Sequence, residues 1–251
     1  MTTISTGRTV VITGASRGIG AATAIAAARD GFDVVENYVQ NATAAQRVVD
    51  QILALGQQAV AIHADVGKPD DVRRLFREAQ EQLGPITALV NNAGITGPIG
   101  PFSQTSDDTI ERVFQVNVLG AIQCCREALA CFERNAMPGV IVNVSSVAAR
   151  TGSPREYIHY AASKGALDTF TLGLAREVAA SGTRVCAVAP GMTLTDIHAT
   201  AGEPDRPARV VANIPLGRLA HPEEVAQTIA WMLSPAASYM TGVVVPCAGG
   251  L

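Results

Sequence analysis

The sequence has no concentrated positive charge and no long hydrophobic run. Of its 251 residues only 16% are charged, and the net charge is −3 at pH 7. Because lysine and arginine form no cluster, nucleic acid is disfavoured as the main partner. No apolar run reaches the roughly 18 residues that would span a bilayer. We therefore expect a soluble protein with a small-molecule ligand and without a membrane partner.

Cysteine is also scarce and carries no metal-binding pattern. The five cysteines are an odd number without metal-ligand spacing, and Cys124 and Cys125 are adjacent on a predicted helix. This usage disfavours a disulfide framework and a zinc site, and it is typical of a reducing compartment. Residues 1–8 lack the charged-then-apolar pattern of a secretory leader. We expect a cytoplasmic protein that binds no metal.

The composition, 48% hydrophobic with 23 glycines, is typical of one compact α/β domain over residues 1–251. Short β-branched runs alternate with helical segments, which predicts a doubly wound parallel sheet of seven strands with helices on both faces. The strands are expected at 9–13, 33–38, 59–63, 87–90, 140–144, 183–189 and 243–245. Residues 192–215 are irregular and polar, and we interpret them as a lid that selects the substrate.

A glycine-rich turn follows the first strand and leads into an alanine-rich helix. Strand, turn and helix together offer free backbone N–H groups and a helix N-terminus to a phosphate. The spacing G-x-x-x-G-x-G departs from the G-x-G-x-x-G fingerprint, so the prediction depends on this context, and an ordinary strand-to-helix loop is the alternative. The predicted cofactor-binding residues of this turn are Gly14, Ser16, Arg17, Gly18, Ile19 and Gly20.

The end of the second strand indicates which dinucleotide binds. An acidic residue there would bond the ribose 2′-OH and select NAD, but Asn37 and Tyr38 stand at this point. Arg17 is available to meet a 2′-phosphate, although a solvated loop cation is the alternative reading. NADP is therefore favoured, and NAD remains the alternative. Glu36 in the same strand is unexplained, because an unpaired buried carboxylate is costly and the sequence names no partner.

Three further strand ends carry candidate cofactor contacts. The pair after the third strand is placed to hold the adenine edge or to form a turn. The Asn-Asn-Ala-Gly motif ends the fourth strand at the switch point of the sheet, where ligands bind, although a plain turn explains the same composition. A Pro-Gly turn follows the sixth strand. The predicted contacts are Asp65, Val66, Asn92, Ala93, Gly94, Pro190 and Gly191.

Tyr160 and Lys164 are one helical turn apart, so their side chains lie on one face of a helix. An ammonium near a phenol lowers the phenol pKa from about 10 towards the working pH. Tyr160 is thus a candidate proton carrier, with a solvated helix face as the alternative. Ser146 ends the fifth strand near that helix and can donate to a substrate carbonyl oxygen. Ser145 meets the same description.

Asn117 interrupts a long helical stretch over 106–132. An asparagine side chain competes with the helix backbone for hydrogen bonds. We interpret Asn117 as a local distortion that holds a water near the active centre, and a solvent-facing asparagine is the alternative.

Together these motifs resemble the short-chain dehydrogenase/reductase family across essentially the whole chain. The most similar members are the 3-oxoacyl-carrier-protein-reductase-like and glucose- or sugar-dehydrogenase-like ones. The segments that carry the resemblance are Thr13–Gly20, Asn91–Gly94, Asn117, Ser146, Tyr160-x-x-x-Lys164 and Pro190-Gly191.

The resemblance implies a Rossmann-type sheet and an enzyme that interconverts a ketone or aldehyde and an alcohol by hydride transfer to or from a nicotinamide cofactor. It makes Tyr160 the general acid or base. Lys164 would hold the nicotinamide ribose and lower the tyrosine pKa. Ser146 would bind the reacting oxygen, and Asn117 would anchor a water of the proton relay.

The resemblance also implies cofactor contacts at Thr193 and Thr195 and a homotetramer built on the helices that carry Asn117 and Tyr160. Small and apolar residues of those helices suit such an interface, although the core of a monomer would look the same. These residues are Ala121, Ile122, Cys125, Ala166, Phe170 and Leu174. Substrate contacts are expected at Ser146, Tyr160 and Met192. The sequence does not specify the substrate, and a catalytically idle nucleotide-binding protein is the rival function.

Overall fold

The computed structural model describes residues 7–251, so six of the eight residues used to argue against a leader lie outside the described part. The sheet has seven parallel strands in the order β3-β2-β1-β4-β5-β6-β7. This confirms the predicted doubly wound sheet, whose strand order reverses between β1 and β4. The strands are β1 Thr9–Ile12, β2 Asp33–Tyr38, β3 Ala59–His63, β4 Ile86–Asn91, β5 Val140–Val144, β6 Arg184–Pro190 and β7 Val244–Cys247.

Helices cover both faces of the sheet because successive strand side chains point to opposite sides. Val10 and Val34 pack against α1, α2 and α10, whereas Val11 and Val35 pack against α3 and α5 on the other face. The helices are α1 Gly18–Arg29, α2 Ala42–Ala54, α3 Pro69–Leu83, α4 Asp107–Phe114, α5 Ala121–Arg134, α6 Ala148–Thr151, α7 Ile158–Val178, α8 Ile197–Thr200, α9 Arg206–Val210 and α10 Pro222–Leu233.

A π-helical turn over Gln115–Gly120 joins α4 to α5. The predicted distortion at Asn117 is therefore confirmed, and it widens the helix where its side chain turns inward. Gly120 is needed in this turn, because a Cβ there would lie 2.9 Å from the carbonyl oxygen of Val66.

The segment 192–215 is more ordered than the sequence predicted. It contains α8, α9 and a 3₁₀ turn over Val211–Asn213. The prolines and glycine that predicted an irregular segment are compatible with these short helices. Pro207 lies in the first turn of α9, where the missing N–H costs nothing.

No helix among residues 7–251 is long and apolar enough to cross a membrane. The described side chains of this range, which exclude that of His198, contain no group of three His, Cys, Asp or Glu that could hold a metal ion. All five cysteines are free thiols.

Candidate active site

The carboxyl ends of β1, β4, β5 and β6 meet at one edge of the sheet, and the candidate residues gather there. Because all seven strands are parallel, the turns after these strands become neighbours although they are far apart in sequence. Helix α7 carries Tyr160 and Lys164 past this edge. The fold therefore brings the glycine turn, the Asn-Asn-Ala-Gly motif and the tyrosine helix into one region.

The glycine turn requires glycine for steric reasons. Gly14 and Gly18 have φ angles of 63° and 55°, in the left-handed region. A Cβ on Gly20 would lie 2.5 Å from both Asn92 Nδ2 and the Gly14 carbonyl oxygen. Helix α1 starts at Gly18 without a side-chain cap. Its first N–H groups are therefore available to an anionic group such as a phosphate.

Hydrogen bonds fasten this turn to the end of β4. Thr13 Oγ1 accepts from the backbone N–H groups of Asn92 and Ala93, both at 3.0 Å. Asn92 Nδ2 donates to the carbonyl oxygens of Thr13 and Gly14, both at 2.9 Å. The Asn92 side chain thus holds the turn in place, and Thr13 is a supporting residue whose role the sequence did not reveal.

Asn37 supports the turn from the other side. Its amide donates to Ile62 O at 3.2 Å and to Ala64 O at 2.9 Å, and it accepts from Gly14 N at 3.3 Å. The residue is 1% exposed. Its side chain is therefore engaged with protein groups at the position where we expected it to face the ribose. The neighbouring Tyr38 is half-buried and lies edge-on to the His63 ring, with the ring centroids 5.6 Å apart.

The Asp65 carboxylate also bonds to protein groups. It accepts from Gly67 N at 2.9 Å and from Arg112 at 2.8 Å. The turn predicted as one of the two readings is therefore confirmed, and the adenine contact stays a prediction. Val66 is buried beneath the π-helical turn.

Gly94 lies beside two members of the predicted tetrad. A Cβ there would be 3.4 Å from both Asn117 Oδ1 and Lys164 Nζ. Asn117 accepts from Ile95 N and donates to Ile95 O, both at 2.9 Å, and also donates to Ser163 Oγ at 3.0 Å. It is 1% exposed, so the alternative of a solvent-facing asparagine is wrong.

Tyr160 and Lys164 share one face, but their electrostatics differ from the prediction. Lys164 Nζ is 5.7 Å from the Tyr160 ring centroid and donates to Val144 O at 2.6 Å. Burial lowers the pKa of Lys164 to about 8. Burial likewise raises the pKa of Tyr160 well above its usual range, opposed by a hydrogen bond to Ser146. The prediction that Lys164 lowers the Tyr160 pKa is therefore wrong. Desolvation dominates that pKa, and the Lys164 ammonium points to the carbonyl of Val144.

The structure separates the two candidate serines. The Ser146 hydroxyl lies close enough to the Tyr160 phenol to lower its pKa, and Ser146 Oγ accepts from Ala148 N at 3.1 Å. Ser145 is 2% exposed, and its Oγ makes no hydrogen bond within the described part of the chain. Ser146 is therefore the serine that belongs to this site.

The segment after β6 lies over the glycine turn. A Cβ on Gly18 would be 3.1 Å from the Thr195 methyl group. Asp196 pairs with Arg17 at 3.5 Å, both side chains being more than half exposed. Thr193 Oγ1 donates to Gly191 O at 3.2 Å. Of the predicted contacts at the end of β6 and after it, Thr195 therefore lies directly against the glycine turn, and Pro190, Gly191 and Thr193 immediately precede it in the chain.

The sequence analysis did not identify one buried arginine that lies near Tyr160. Arg206 in α9 is 1% exposed, and it contacts Glu156, Tyr157 and Met192. Helix α9 begins at Arg206, so helical spacing relates Arg206 only to Arg209 and gave no sign of a buried ion pair. The shared partner of these two arginines, Glu156, lies about 50 positions earlier in the chain, so the contact could not be predicted from the local pattern.

Comparisons with known proteins identify the family and the fold of the chain. A family model described as enoyl-(acyl carrier protein) reductase matches residues 14–251. The Escherichia coli K12 protein named uncharacterized oxidoreductase YgfF is 48% identical over 242 residues, which cover 96% of this chain and 98% of that protein.

Solved structures share the fold over nearly the full length. A short-chain type dehydrogenase/reductase from Mycobacterium marinum has a TM-score of 0.92 at 32% identity, covering 98% of this chain and 96% of that one. A blue fluorescent protein from a metagenomic library, crystallised with NADPH, has a TM-score of 0.89 at 35% identity and 97% coverage of both chains.

Proposed function

Because the chain belongs to the short-chain dehydrogenase/reductase family, and so is an NAD(P)-dependent oxidoreductase, we propose that it interconverts a ketone or aldehyde and an alcohol with Tyr160 as general acid or base. The observation that carries this proposal is the grouping of Tyr160, Ser146 and Lys164 at the switch point of the sheet. The cofactor would supply or accept the hydride. The chain would supply the proton.

The residues at this edge fit a dinucleotide. The uncapped start of α1 offers N–H groups to the pyrophosphate, and Gly94 leaves open the space beside Asn117 and Lys164. Lys164 would hold the nicotinamide ribose, and Thr195 would close the phosphate side. Ser146 would donate to the reacting oxygen while Tyr160 gives or takes its proton.

NADP(H) is the proposed cofactor, supported by Arg17 beside the phosphate turn and by Tyr38 in place of an acidic residue. Arg17→Ala tests this choice. Loss of a hydrogen bond to a charged phosphate costs roughly 1.5–3 kcal/mol, so the Kd for NADPH should rise about tenfold to a hundredfold while the Kd for NADH stays the same. Titration calorimetry measures both. Tighter NADH binding, with NADPH affinity unaffected by the substitution, would establish NAD as the cofactor.

The reaction is tested by NADPH absorbance decay with a panel of sugars, acyl thioesters and aromatic ketones. We expect turnover of at least one carbonyl compound. The rival function, a catalytically idle nucleotide-binding sensor or scaffold, predicts cofactor binding without decay for any member of the panel. The contacts of Tyr160 with Ser146 favour the enzyme over the sensor, since a sensor has no need of them.

We extend the proposal to the organisation of the protein, with 1–251 as one catalytic domain and 192–215 as the substrate lid that includes Met192. The proposed homotetramer would use the partly exposed Ile122, Ala166, Phe170 and Leu174. Ala121 and Cys125 are buried within the subunit, so they cannot contribute as expected. Light scattering of the purified protein measures the assembly. The five free thiols support a cytoplasmic location.

A further inference from the structure

The lid is fastened to the loop that precedes the tyrosine helix by one buried cation. Arg206 Nη2 donates to Glu156 Oε2 and to Tyr157 Oη, both at 2.6 Å, and Nε is 3.4 Å from Glu156 Oε1. Among residues 7–251, Arg206 is the only arginine in the buried class. Burying a guanidinium is costly unless it is paired in this way. This ion pair therefore joins the lid to the loop at a buried point.

The loop held by Arg206 has a strained backbone. Ser153 and Arg155 have φ angles of 43° and 66°, in a region that residues other than glycine rarely adopt. Such conformations persist only where the surrounding contacts fix them, and they concentrate at functional sites. Here the fixing contacts include the Arg206–Glu156 pair and the bond from Gly100 N to Glu156 O at 2.9 Å.

This loop positions the candidate acid directly. The Tyr157 ring packs edge-on against the Tyr160 ring with centroids 5.2 Å apart. The Arg206 guanidinium carbon is 5.1 Å from the centroid of the Tyr157 ring. A second contact joins the lid to this region, since Ile99 N donates to Ala201 O at 3.2 Å. Ile99 also packs against the hydrophobic cluster that contains Tyr157 and Tyr160. Lid, strained loop and phenol thus form one connected unit.

On the basis of the proposed function, we propose that Arg206 is a positioning residue that couples closure of the lid to proton transfer at Tyr160. With the lid closed, the cation fixes Tyr157 against Tyr160 and favours the phenolate. With the lid open, both effects are lost. Proton exchange with the substrate would then be fast only when the site is closed to water.

The charges around Tyr160 agree with this assignment. Burial raises the pKa of Tyr160 most, whereas the Ser146 hydrogen bond and the Arg206 charge lower it and Tyr157 raises it. Burial also acts on Glu156, yet hydrogen bonds from Arg206 and Arg209 keep its pKa below the usual range. The ionisable groups facing this cluster are Lys164 from α7, Glu156 and Tyr157 from the preceding loop, and Glu203, Arg206 and Arg209 from the lid.

Arg206→Gln, with Arg209→Gln as its matched control, tests the coupling. Arg209 bonds the same Glu156 at 2.9 Å from the same helix, but its side chain is half exposed. For the carbonyl compound that the wild type reduces, we expect the alkaline limb of kcat/KM to move up by about one pH unit in Arg206→Gln and to stay in place in Arg209→Gln. Arg206→Lys, which keeps the charge, should restore most of the wild-type midpoint. A purely structural role would lower kcat without moving the limb.

Glu156→Gln should shift the alkaline limb of kcat/KM in the opposite direction. It provides the test if Arg206→Gln does not fold. Removing the countercharge leaves the cation less neutralised, so the limb should move to lower pH. An unchanged midpoint in both Arg206→Gln and Glu156→Gln, or an equal shift in Arg209→Gln, would overturn the inference.

A second readout does not require turnover and so separates this inference from the proposed function. The chain has only four tyrosines, so ¹³Cζ-tyrosine NMR spectra are simple, and Tyr160→Phe identifies the Tyr160 resonance. That resonance should shift in Arg206→Gln, because the contact with Tyr157 loosens, and stay in place in Arg209→Gln. Wild-type protein that reduces no carbonyl compound refutes the proposed function. A Tyr160 resonance that does not shift in Arg206→Gln refutes the coupling.

Discussion

Glu36 is a carboxylic acid placed inside the sheet. It lies in β2 with 0% exposure, and neither side-chain oxygen has a hydrogen-bond partner in the described part of the chain. Burial raises its pKa to about 8. A protonated carboxyl group is far cheaper to bury than a carboxylate, so the folded protein keeps this proton at neutral pH.

This proton makes the free energy of unfolding depend on pH. The unfolded chain releases it near pH 4.5 and the folded chain near pH 8, so Glu36 lowers stability progressively as pH rises between these values. The loss amounts to roughly 4 kcal/mol by pH 9. Glu36→Gln removes this dependence, and urea unfolding at pH 5 and pH 9 should show a gain in stability mainly at pH 9.

Glu224 provides the control for this experiment. It is exposed, and the hydrogen bond from Arg218 lowers its pKa to about 2. Its stabilising contribution is lost only as pH falls through the acidic range. Glu224→Gln should therefore leave the change between pH 5 and pH 9 intact, and a Glu36→Gln protein with the same alkaline loss as wild type would contradict our reading of Glu36.

Tyr160 and Lys164 show which properties of a site can be predicted from the sequence and which cannot. The helical spacing correctly placed Tyr160 and Lys164 on one face, because that depends on local geometry alone. The direction of the Tyr160 pKa could not be predicted, since it depends on burial and on the carbonyl of Val144, which comes from another element.

At the scale of elements, the π-helical turn fixes the position of the loop after β4. Asn117 bonds both the N–H and the carbonyl of Ile95, as a neighbouring strand would. A π turn lets this side chain leave the helix and reach across. It thereby fixes Gly94 next to Lys164, where the proposed cofactor would lie.

Asn117→Ala should loosen that loop. Losing buried hydrogen bonds and leaving Ile95 groups unsatisfied costs roughly 2–4 kcal/mol of unfolding free energy, and turnover should fall with it. Asn41→Ala is the matched control, because Asn41 caps α2 by accepting from Ala44 N at 2.9 Å and its loss costs about 1 kcal/mol far from the site. Urea unfolding and the NADPH assay compare the two. Equal losses of activity would contradict the role given to Asn117.

At the scale of the whole molecule, the alternation of strands and helices predicted the sheet, and most strand ends agree within two residues. Buried parallel strands have continuous apolar runs that stand out locally. The lid was less predictable because Arg206 finds its partner Glu156 in a different part of the chain. The supporting roles of Asn37 and Asn92 could not be predicted either, because they depend on which strands become neighbours in the sheet.

The parallel sheet brings together residues from separate parts of the chain that deliver the proton in the proposed mechanism. Ser146 comes from the end of β5 and Tyr160 from α7, and they meet at the edge where the glycine turn lies. The central claim is that the Tyr160 hydroxyl carries the proton in this assembled site.

Tyr160→Phe tests that claim most directly, because it removes one hydroxyl and retains the ring that packs on Tyr157. The measurement is kcat for carbonyl reduction, together with NADPH binding by titration calorimetry. We predict unchanged cofactor affinity and a fall in kcat of roughly a hundredfold to ten-thousandfold, the usual contribution of a general acid. A variant that binds NADPH and keeps near-normal kcat would contradict the account.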